Sequence, residues 1–236
     1  MERFEGCIGV DGAKGQWIAV SVSEGQLAHQ VHANARALVE AHRAARVIAV
    51  DIPIGLSDHG RRQADVDARA FVGGKRRSSI FSSPVRGILD ARSQQEASRR
   101  HREIDTRGFG AQSFAILDKI RQWDSLLQED AQARRTVHEV HPEVSFAALG
   151  GTGGIQAKKQ SAEGLAIRIG LLAGVFGQDR VEALLQSVPR RQAAPDDVLD
   201  ALVALWSAER IGSGRAVSLP CPVVADRTGL PAAIWY

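Results

Sequence analysis

The sequence predicts a single α/β domain, 1–236, with a mixed β-sheet flanked by helices and a helical insertion at about 57–134, after the fourth strand. Three observations support this prediction. Short segments rich in valine and isoleucine open the chain. A helical segment then leads into a further apolar run, and most of the remaining chain shows apolar residues at helical spacing.

Three successive strands are predicted first, over residues 6–10, 16–23 and 26–32. Glycine-containing turns separate them, and this pattern favours an antiparallel meander. Asn34 is a candidate N-cap for a helix over 34–45, and the run RVIAVDI that follows is typical of a buried strand. Strand, helix and strand in this order predict a right-handed crossover that returns to the sheet.

The insertion begins after Leu56, where the sequence becomes polar and helical, with two main helices predicted near 86–104 and 110–131. The segment TVHEVH then resumes the sheet and stops at Pro142, which suits the first turn of a helix. A flexible GGTGG loop follows at 150–154. The last elements predicted are helices at about 161–175, 179–187 and 195–212, and short strands near 217–224 and 232–235.

Composition is that of a globular protein with a substantial core, at 44% hydrophobic and 24% charged residues. No apolar run approaches the roughly 18 residues that span a bilayer, and the start MERFEG is charged where a secretory signal is apolar. Cys7 and Cys221 belong to no cysteine or histidine cluster, so no disulfide framework or zinc site is indicated. We therefore expect a cytoplasmic protein that does not bind membranes, and oligomers remain open.

Aspartates follow two apolar runs, Asp11 in CIGVDG and Asp51 in VIAVDI. Ligands of α/β sheets gather at the carboxyl ends of strands, so these side chains are candidates for one site. Asp197 and Asp200 are three residues apart, so both emerge on one face of the 195–212 helix. Carboxylates that meet repel unless a cation compensates, and hard oxygen ligands select Mg²⁺ or Mn²⁺. The set predicts metal-assisted hydrolysis of a phosphate ester.

Two glutamates join this set if TVHEV is a central strand: Glu139 and Glu143. Glu143 fits two roles equally, as a site residue or as a first-turn partner of the helix dipole. His138 and His141 flank Glu139, and a histidine there is either a general base or, as we favour, a structural side chain.

A basic segment separates the candidate acids: residues 61–107 hold twelve Lys/Arg against six Asp/Glu, a net charge of +6. Such a segment either faces an anionic partner such as nucleic acid or forms a solvated helical surface. Within it, the glycine-flanked loop at 73–79 offers candidate phosphate ligands, against the alternative of a mobile basic loop. These candidates are Lys75, Arg76, Arg77 and Ser79. Lys158, next to Lys159, is a further candidate for neutralising a phosphate, although a solvated lysine pair is the favoured alternative and no P-loop pattern is present.

Five strings, in chain order, resemble a known family: GVDGAKGQW, VDIPIGL, ADVDARAFVGGKRRSSIFSSPVRG, EVHPEVSF and DDVLDALVALWSA. Together they are similar to an uncharacterised family described as predicted RNase H-like nucleases, within the RNase H/RuvC-like superfamily. The resemblance implies a Mg²⁺- or Mn²⁺-dependent nuclease in which Asp11 bridges two metals and Asp51 binds one. Asp197 and Asp200 would complete the metal shell. The family glutamates, here Glu139 and Glu143, have no counterpart in RuvC-type enzymes, where the second acid is a glutamate rather than Asp51.

Two other functions remain open beside a nuclease. The acids could be structural in a non-catalytic nucleic-acid-binding or regulatory protein. Alternatively, GVDGAKG is superficially similar to the phosphate hairpin of the related actin-like phosphotransferases, although no second copy of that hairpin is present.

Overall fold

The computed structural model describes residues 1–151 and 153–236. Within them the fold is α/β, as predicted, and the main sheet is mixed and five-stranded with the order β3-β2-β1-β4-β5. Its strands are β1 Cys7–Ala13, β2 Gln16–Ser23, β3 Gln26–His32, β4 Val47–Val50 and β5 Val137–Glu139. The predicted GGTGG loop includes Thr152, which lies outside the described residues.

The first three strands form the predicted antiparallel meander. Two-residue turns join them, and both residues of each turn have positive φ: 45° and 82° at Lys14-Gly15, 51° and 74° at Glu24-Gly25. Turns of this kind match the right-handed twist of the strands that they connect, and glycine adopts positive φ without strain. The sequence places a glycine second in each turn, so the register of the meander is determined locally.

Parallel strands complete the main sheet. Helix α1, Ala35–Ala41, begins at the predicted cap, where the Asn34 side chain accepts a hydrogen bond from the amide of Ala37 at 2.9 Å. Strand β4 then pairs parallel to β1, and β5 parallel to β4. TVHEV is not a central strand, the condition set for Glu139 and Glu143 to join the site, because β5 has a main-sheet neighbour on one side only. A bridge between Val140 and Trp235 covers its other side.

The helical insertion lies between β4 and β5 and is more broken than predicted. Its helices are α2 Gln63–Val72, α3 Gln94–Asp105, α4 Ala111–Ala115, α5 Leu117–Glu129 and α6 Ala131–Thr136. Local caps explain the breaks: the Ser93 hydroxyl accepts from the Glu96 amide at 3.2 Å at the start of α3. The Asp130 carboxylate likewise starts α6 by accepting the amides of Gln132 and Ala133 at 3.0 Å.

The predicted C-terminal helices are present: α7 Pro142–Gly150, α8 Ala162–Phe176, α9 Gln178–Ser187 and α10 Pro195–Gly212. The final strands, β6 Ser218–Leu219 and β7 Ile234–Trp235, pair with each other and are much shorter than predicted. Pro220 and Pro222 follow β6 directly, and a proline nitrogen cannot donate to a strand ladder.

The two faces of the main sheet are covered by different helices. Helix α10 packs against β1 and β4 so closely that a methyl group on Gly9 would clash with the backbone of Ala201 and Leu205. On the opposite face, the rings of Trp17 from β2 and Trp123 from α5 meet edge to face with centroids 5.5 Å apart. Across residues 1–151 and 153–236, no helix has the length and apolar character of a membrane span.

Candidate functional site

Asp11 and Asp51 lie at the same level on neighbouring strands. The parallel register pairs Val10 with Val50, and the Asp51 amide donates to the Val10 carbonyl at 3.0 Å. Asp51 directly follows the last residue of β4, as predicted. The expectation that Asp11 ends its strand is wrong, because pairing with β2 extends β1 to Ala13. Successive side chains along β1 point to opposite faces of the sheet. Asp11 points to the face that α10 covers.

Helix α10 brings a third carboxylate to this place. Asp200 lies on its buried side and is 3% exposed. Burial raises the pKa of Asp11 well above its usual range, and the charges of Asp200 and Asp51 add to the effect. Burial and then Asp200 raise the pKa of Asp51 to about 8, and burial raises that of Asp200 to about 6. These three side chains therefore form one electrostatically coupled cluster, the acid cluster.

Asp197 is placed differently. Its carboxylate accepts a hydrogen bond from the Ala194 amide at 2.9 Å, which ties down the start of α10, and burial raises its pKa. Asp196, its neighbour in the first turn, is 8% exposed and accepts from the Gln160 side-chain amide at 3.3 Å. The first turn of α10 therefore combines helix capping with proximity to the acid cluster.

Lys159 supplies a positive charge at the acid cluster. Its ammonium group forms an ion pair with Asp200 and lies 3.6 Å from the Asp196 carboxylate. Burial alone would lower the pKa of Lys159, but the attraction of Asp200 and Asp11 outweighs burial and raises it. Sequence reasoning selected the neighbouring Lys158 instead, whose side chain is exposed. Two adjacent lysines in a loop carry no signal that tells which of them turns inward.

Lys119, on α5, is a second lysine that sequence reasoning missed. Its ammonium group donates to the Gln16 carbonyl at 3.1 Å and lies 4.6 Å from the centroid of the Trp17 ring. Burial lowers its pKa, although Asp11 acts in the opposite direction. The helical insertion therefore contributes a positive charge close to Asp11.

Glu143 lies at the first turn of α7, where both of its predicted roles meet. One carboxylate oxygen accepts a 2.5 Å hydrogen bond from Arg168, whose side chain is fully buried. The other oxygen finds no hydrogen-bond donor within the described residues, and the nearest cation is the Arg76 guanidinium at 4.0 Å. Glu143 is 7% exposed, so this oxygen is a buried polar atom without a hydrogen-bond partner among the described residues.

Asp51, Asp200, Lys159 and Glu143 line one cavity of about 250 Å³, whereas Asp11 lies outside its lining. Five predicted site residues belong to its lining: Asp51, Arg76, Ser79, Glu143 and Asp200. Four residues that the sequence analysis did not select complete it: Phe81, His141, Pro142 and Lys159. His141 also caps α7, because its Nδ1 accepts from the Glu143 amide at 3.2 Å. Burial lowers the pKa of His141 to about 4, so the ring is neutral at pH 7.

Two loops meet beside the cavity, and we call residues 72–79 and 153–159 together the double loop. Arg76 joins them by donating to the carbonyls of Ile155, at 2.6 Å, and Ala157. Gly154 donates to the Val72 carbonyl at 3.0 Å, and the Lys75 amide donates to the Gln156 side chain at 3.2 Å. The side chains of Lys75 and Arg77 are exposed, so of the predicted basic trio only Arg76 reaches the cavity lining.

Glu139 lies behind the acid cluster, outside the lining of this cavity. Both of its oxygens accept from Arg62, at 2.5 and 2.6 Å, and one also accepts from the Ile54 amide at 2.6 Å. Arg62 also forms an ion pair with Asp65 at 2.7 Å, and all three side chains are buried. Burial raises the pKa of Glu139 to about 7, while Arg62 opposes the rise. These contacts hold the turn after Asp51 in position.

The acid cluster suits a hard divalent cation in donor type and charge. Asp11, Asp51 and Asp200 offer carboxylate oxygens, and Glu143 adds a buried oxygen without a partner. Across residues 1–151 and 153–236, however, no three His, Cys, Asp or Glu side chains stand together at metal-ligand spacing. Lys159 instead pairs with Asp200, and supplies part of the compensating charge.

Comparison with known proteins assigns the chain to a family. Residues 9–225 match the model described as "Protein of unknown function (DUF429)". The chain belongs to the DUF429 family. The match includes all the acids, lysines and arginines of the site described above. No curated protein and no solved structure matches the chain.

Proposed function

We propose that this DUF429 protein is a divalent-metal-dependent phosphodiesterase of the RNase H-like superfamily that hydrolyses nucleic acid. The observation that carries the proposal is the acid cluster, three buried carboxylates from separate elements beside a cavity that cations line. Burial raises the pKa of all three, and the charge of Asp200 raises that of Asp11 and Asp51 further. Perturbed carboxylates from separate elements that meet at a cavity are typical of functional sites. A structural role alone would favour a hydrophobic or fully paired arrangement.

The arrangement of elements supports the superfamily assignment. The chain opens with three antiparallel strands, Asp11 lies on the first, Asp51 follows the strand after the first helix, and Asp200 lies on a late helix. These are the positions that the resemblance assigns to acids of RNase H/RuvC-like enzymes. Asp51 has a shorter side chain than the glutamate of RuvC-type enzymes, and it lies directly beside Asp11, so a long reach is unnecessary.

Mg²⁺ or Mn²⁺ would be held by Asp11, Asp51 and Asp200, and Glu143 lines the same cavity as Asp51 and Asp200. When bound, such an ion lowers the pKa of water and stabilises charge on phosphate oxygens. Lys159 and Arg76 attract the anionic phosphate and hold it against the acid cluster. Water attacks phosphorus, the bond from phosphorus to one ester oxygen breaks, and that oxygen takes up a proton. The products are a phosphomonoester and an alcohol.

The experiment is cleavage of end-labelled single-stranded, duplex, hybrid and branched substrates with Mg²⁺, Mn²⁺ or EDTA. Wild type is run beside Asp11→Asn, Asp200→Asn and the control Asp179→Asn, an exposed aspartate on α9. We expect metal-dependent cleavage that both site variants reduce by about 100-fold or more and that the control retains. Cleavage that survives in both site variants contradicts the proposal.

Binding measured on the same samples separates the alternatives. Salt-sensitive binding with no cleavage of any substrate, unchanged in Asp11→Asn, would identify a nucleic-acid-binding protein rather than an enzyme. Thermal stabilisation by a nucleotide with Mg²⁺, absent with Mg²⁺ alone, would instead favour a phosphotransferase.

A further inference from the structure

The shape of the cavity limits the substrate of the proposed reaction. At about 250 Å³ it is smaller than the roughly 300–1,000 Å³ of pockets for drug-sized ligands. Its acids are recessed, since Asp200 and Glu143 are 3% and 7% exposed. A phosphate must therefore enter the protein to reach them. A space below that range holds no more than about one nucleotide.

The lining carries groups suited to the phosphate and to the base of a nucleotide. The cations Arg76 and Lys159 lie beside the acids, within contact distance of a phosphate that enters the cavity. Ser79 offers a hydroxyl beside Arg76. Phe81 is the aromatic side chain of the lining and is partly exposed. Aromatic rings stack on nucleobases whatever their sequence, at about 1–3 kcal/mol per base by alanine substitution.

The double loop closes one side of the cavity. Arg76, Ser79 and Lys159 come from it, whereas Asp51, Glu143 and Asp200 come from the sheet edge and the helices α7 and α10. Hydrogen bonds join the two halves of the double loop on this side of the cavity, and this closure favours a strand that ends in the cavity over one that passes through it. The packing is tight, because a methyl group on Gly154 would lie 3.0 Å from the Val72 carbonyl oxygen.

We propose that the site admits the terminal nucleotide of a single strand rather than an internal phosphate of a duplex or a closed circle. This inference rests on the proposed function. Hydrolysis then removes nucleotides from an end: water adds to the phosphorus of the last diester, the bond to one ester oxygen breaks, and one nucleotide leaves.

The test compares three substrates with Mg²⁺ or Mn²⁺: a linear single strand, the same strand ligated into a circle, and the small diester bis(p-nitrophenyl) phosphate. Wild type should hydrolyse the small diester and the linear strand, and cut the circle at least about tenfold more slowly. Labels at the 5′ or the 3′ end identify the end that is attacked. Equal rates on circle and linear strand overturn the inference and leave the proposed function intact. Failure on all three substrates overturns the proposed function.

A variant that loosens the double loop provides a second measurement. Gln156 lies outside the cavity lining, accepts from the Lys75 amide and donates to the Gly154 carbonyl at 2.7 Å. Gln156→Ala removes both bonds, so circle cleavage should rise by about tenfold while hydrolysis of the small diester stays unchanged. The control Gln178→Ala alters an exposed glutamine on α9 and should change neither rate.

Binding provides a readout that does not depend on turnover. In the Asp200→Asn background, unlabelled linear strand should compete with a labelled linear strand at least about tenfold better than the circle does, measured by fluorescence anisotropy. Equal competition would show that the site accepts internal phosphates and would contradict the inference.

Discussion

The ammonium group of Lys159 pairs with the carboxylate of Asp200, and it reaches Asp200 from a loop while Asp200 is held on a buried helix. This pair is asymmetric, because the Asp200 side chain is almost fully buried whereas the Lys159 side chain is 33% exposed. Lys159 is therefore the partly exposed counter-charge of a buried acid cluster.

Lys159→Met should lower the free energy of unfolding at pH 7 by about 1–3 kcal/mol, because Asp200 loses its charged partner. The same variant should show a larger rise in melting temperature with Mn²⁺ than wild type, because the acid cluster then lacks its internal cation. Calorimetry and thermal unfolding measure both effects. The matched control is Lys158→Met, at the exposed neighbour, which should change neither quantity.

His141 should make stability depend on pH. Burial lowers its pKa to about 4 in the folded protein, against an ordinary value of 6.5, so the unfolded chain binds more protons between these values. Its contribution to stability is therefore complete above about pH 6.5 and is lost as the pH falls towards 4, up to about 3 kcal/mol.

His141→Asn isolates this contribution, because asparagine keeps an oxygen that can cap α7 but does not titrate. The difference in free energy of unfolding between wild type and variant, from urea titrations, should change in the variant's favour between pH 7 and pH 4. Carboxylates with raised pKa act in the opposite direction in both proteins and cancel in the difference. A difference that is constant with pH would show that His141 takes up its proton at the same pH in the folded and the unfolded chain, so that burial does not lower its pKa.

Arg62→Met should destabilise the protein by about 3–5 kcal/mol, because the buried carboxylates of Glu139 and Asp65 lose their shared partner. The control is Arg99→Met, which breaks the exposed pair with Glu103 on α3 and should cost less than about 1 kcal/mol. Chemical denaturation measures both. Similar losses in the two variants would mean that the buried network contributes no more than a surface ion pair.

Gly9→Ala should destabilise the protein by about 3 kcal/mol or more, since the added methyl group would collide with the backbone of α10 at Ala201 and Leu205. Gly170→Ala on α8 is the control: nothing lies within 4 Å of the new methyl group, and alanine is the better helix former by about 1 kcal/mol. Melting temperatures should therefore move in opposite directions. A Gly9→Ala variant as stable as wild type would contradict the close packing of α10 on β1.

Local patterns in the sequence account for most of the architecture. Glycines in two-residue turns determine the meander, Asn34 starts α1, and Pro142 and Pro195 lie at the starts of α7 and α10. Each of these signals acts within a few residues, so it can be recognised without knowledge of the fold. Element lengths were predicted less well. Capping side chains at Ser93 and Asp130 divide the insertion into shorter helices. Several positions in these polar segments are similarly good helix starts, so the sequence does not single out the one that is used.

The residues of the candidate site likewise divide into those that the sequence indicates and those that only the fold brings together. The sequence by itself identified Asp11, Asp51, Asp200 and Glu143, because acids beside buried apolar segments are unusual wherever they occur. Only the tertiary structure decided that Lys159 rather than Lys158 meets them, that Arg76 is drawn from a basic trio to the cavity, and that Arg62 engages Glu139. The physical reason is that an ion pair depends on the distance between two side chains in the folded protein and not on their spacing in the sequence. The partners of Glu139 and Asp200 lie 77 and 41 positions away along the chain, and no periodic pattern connects them.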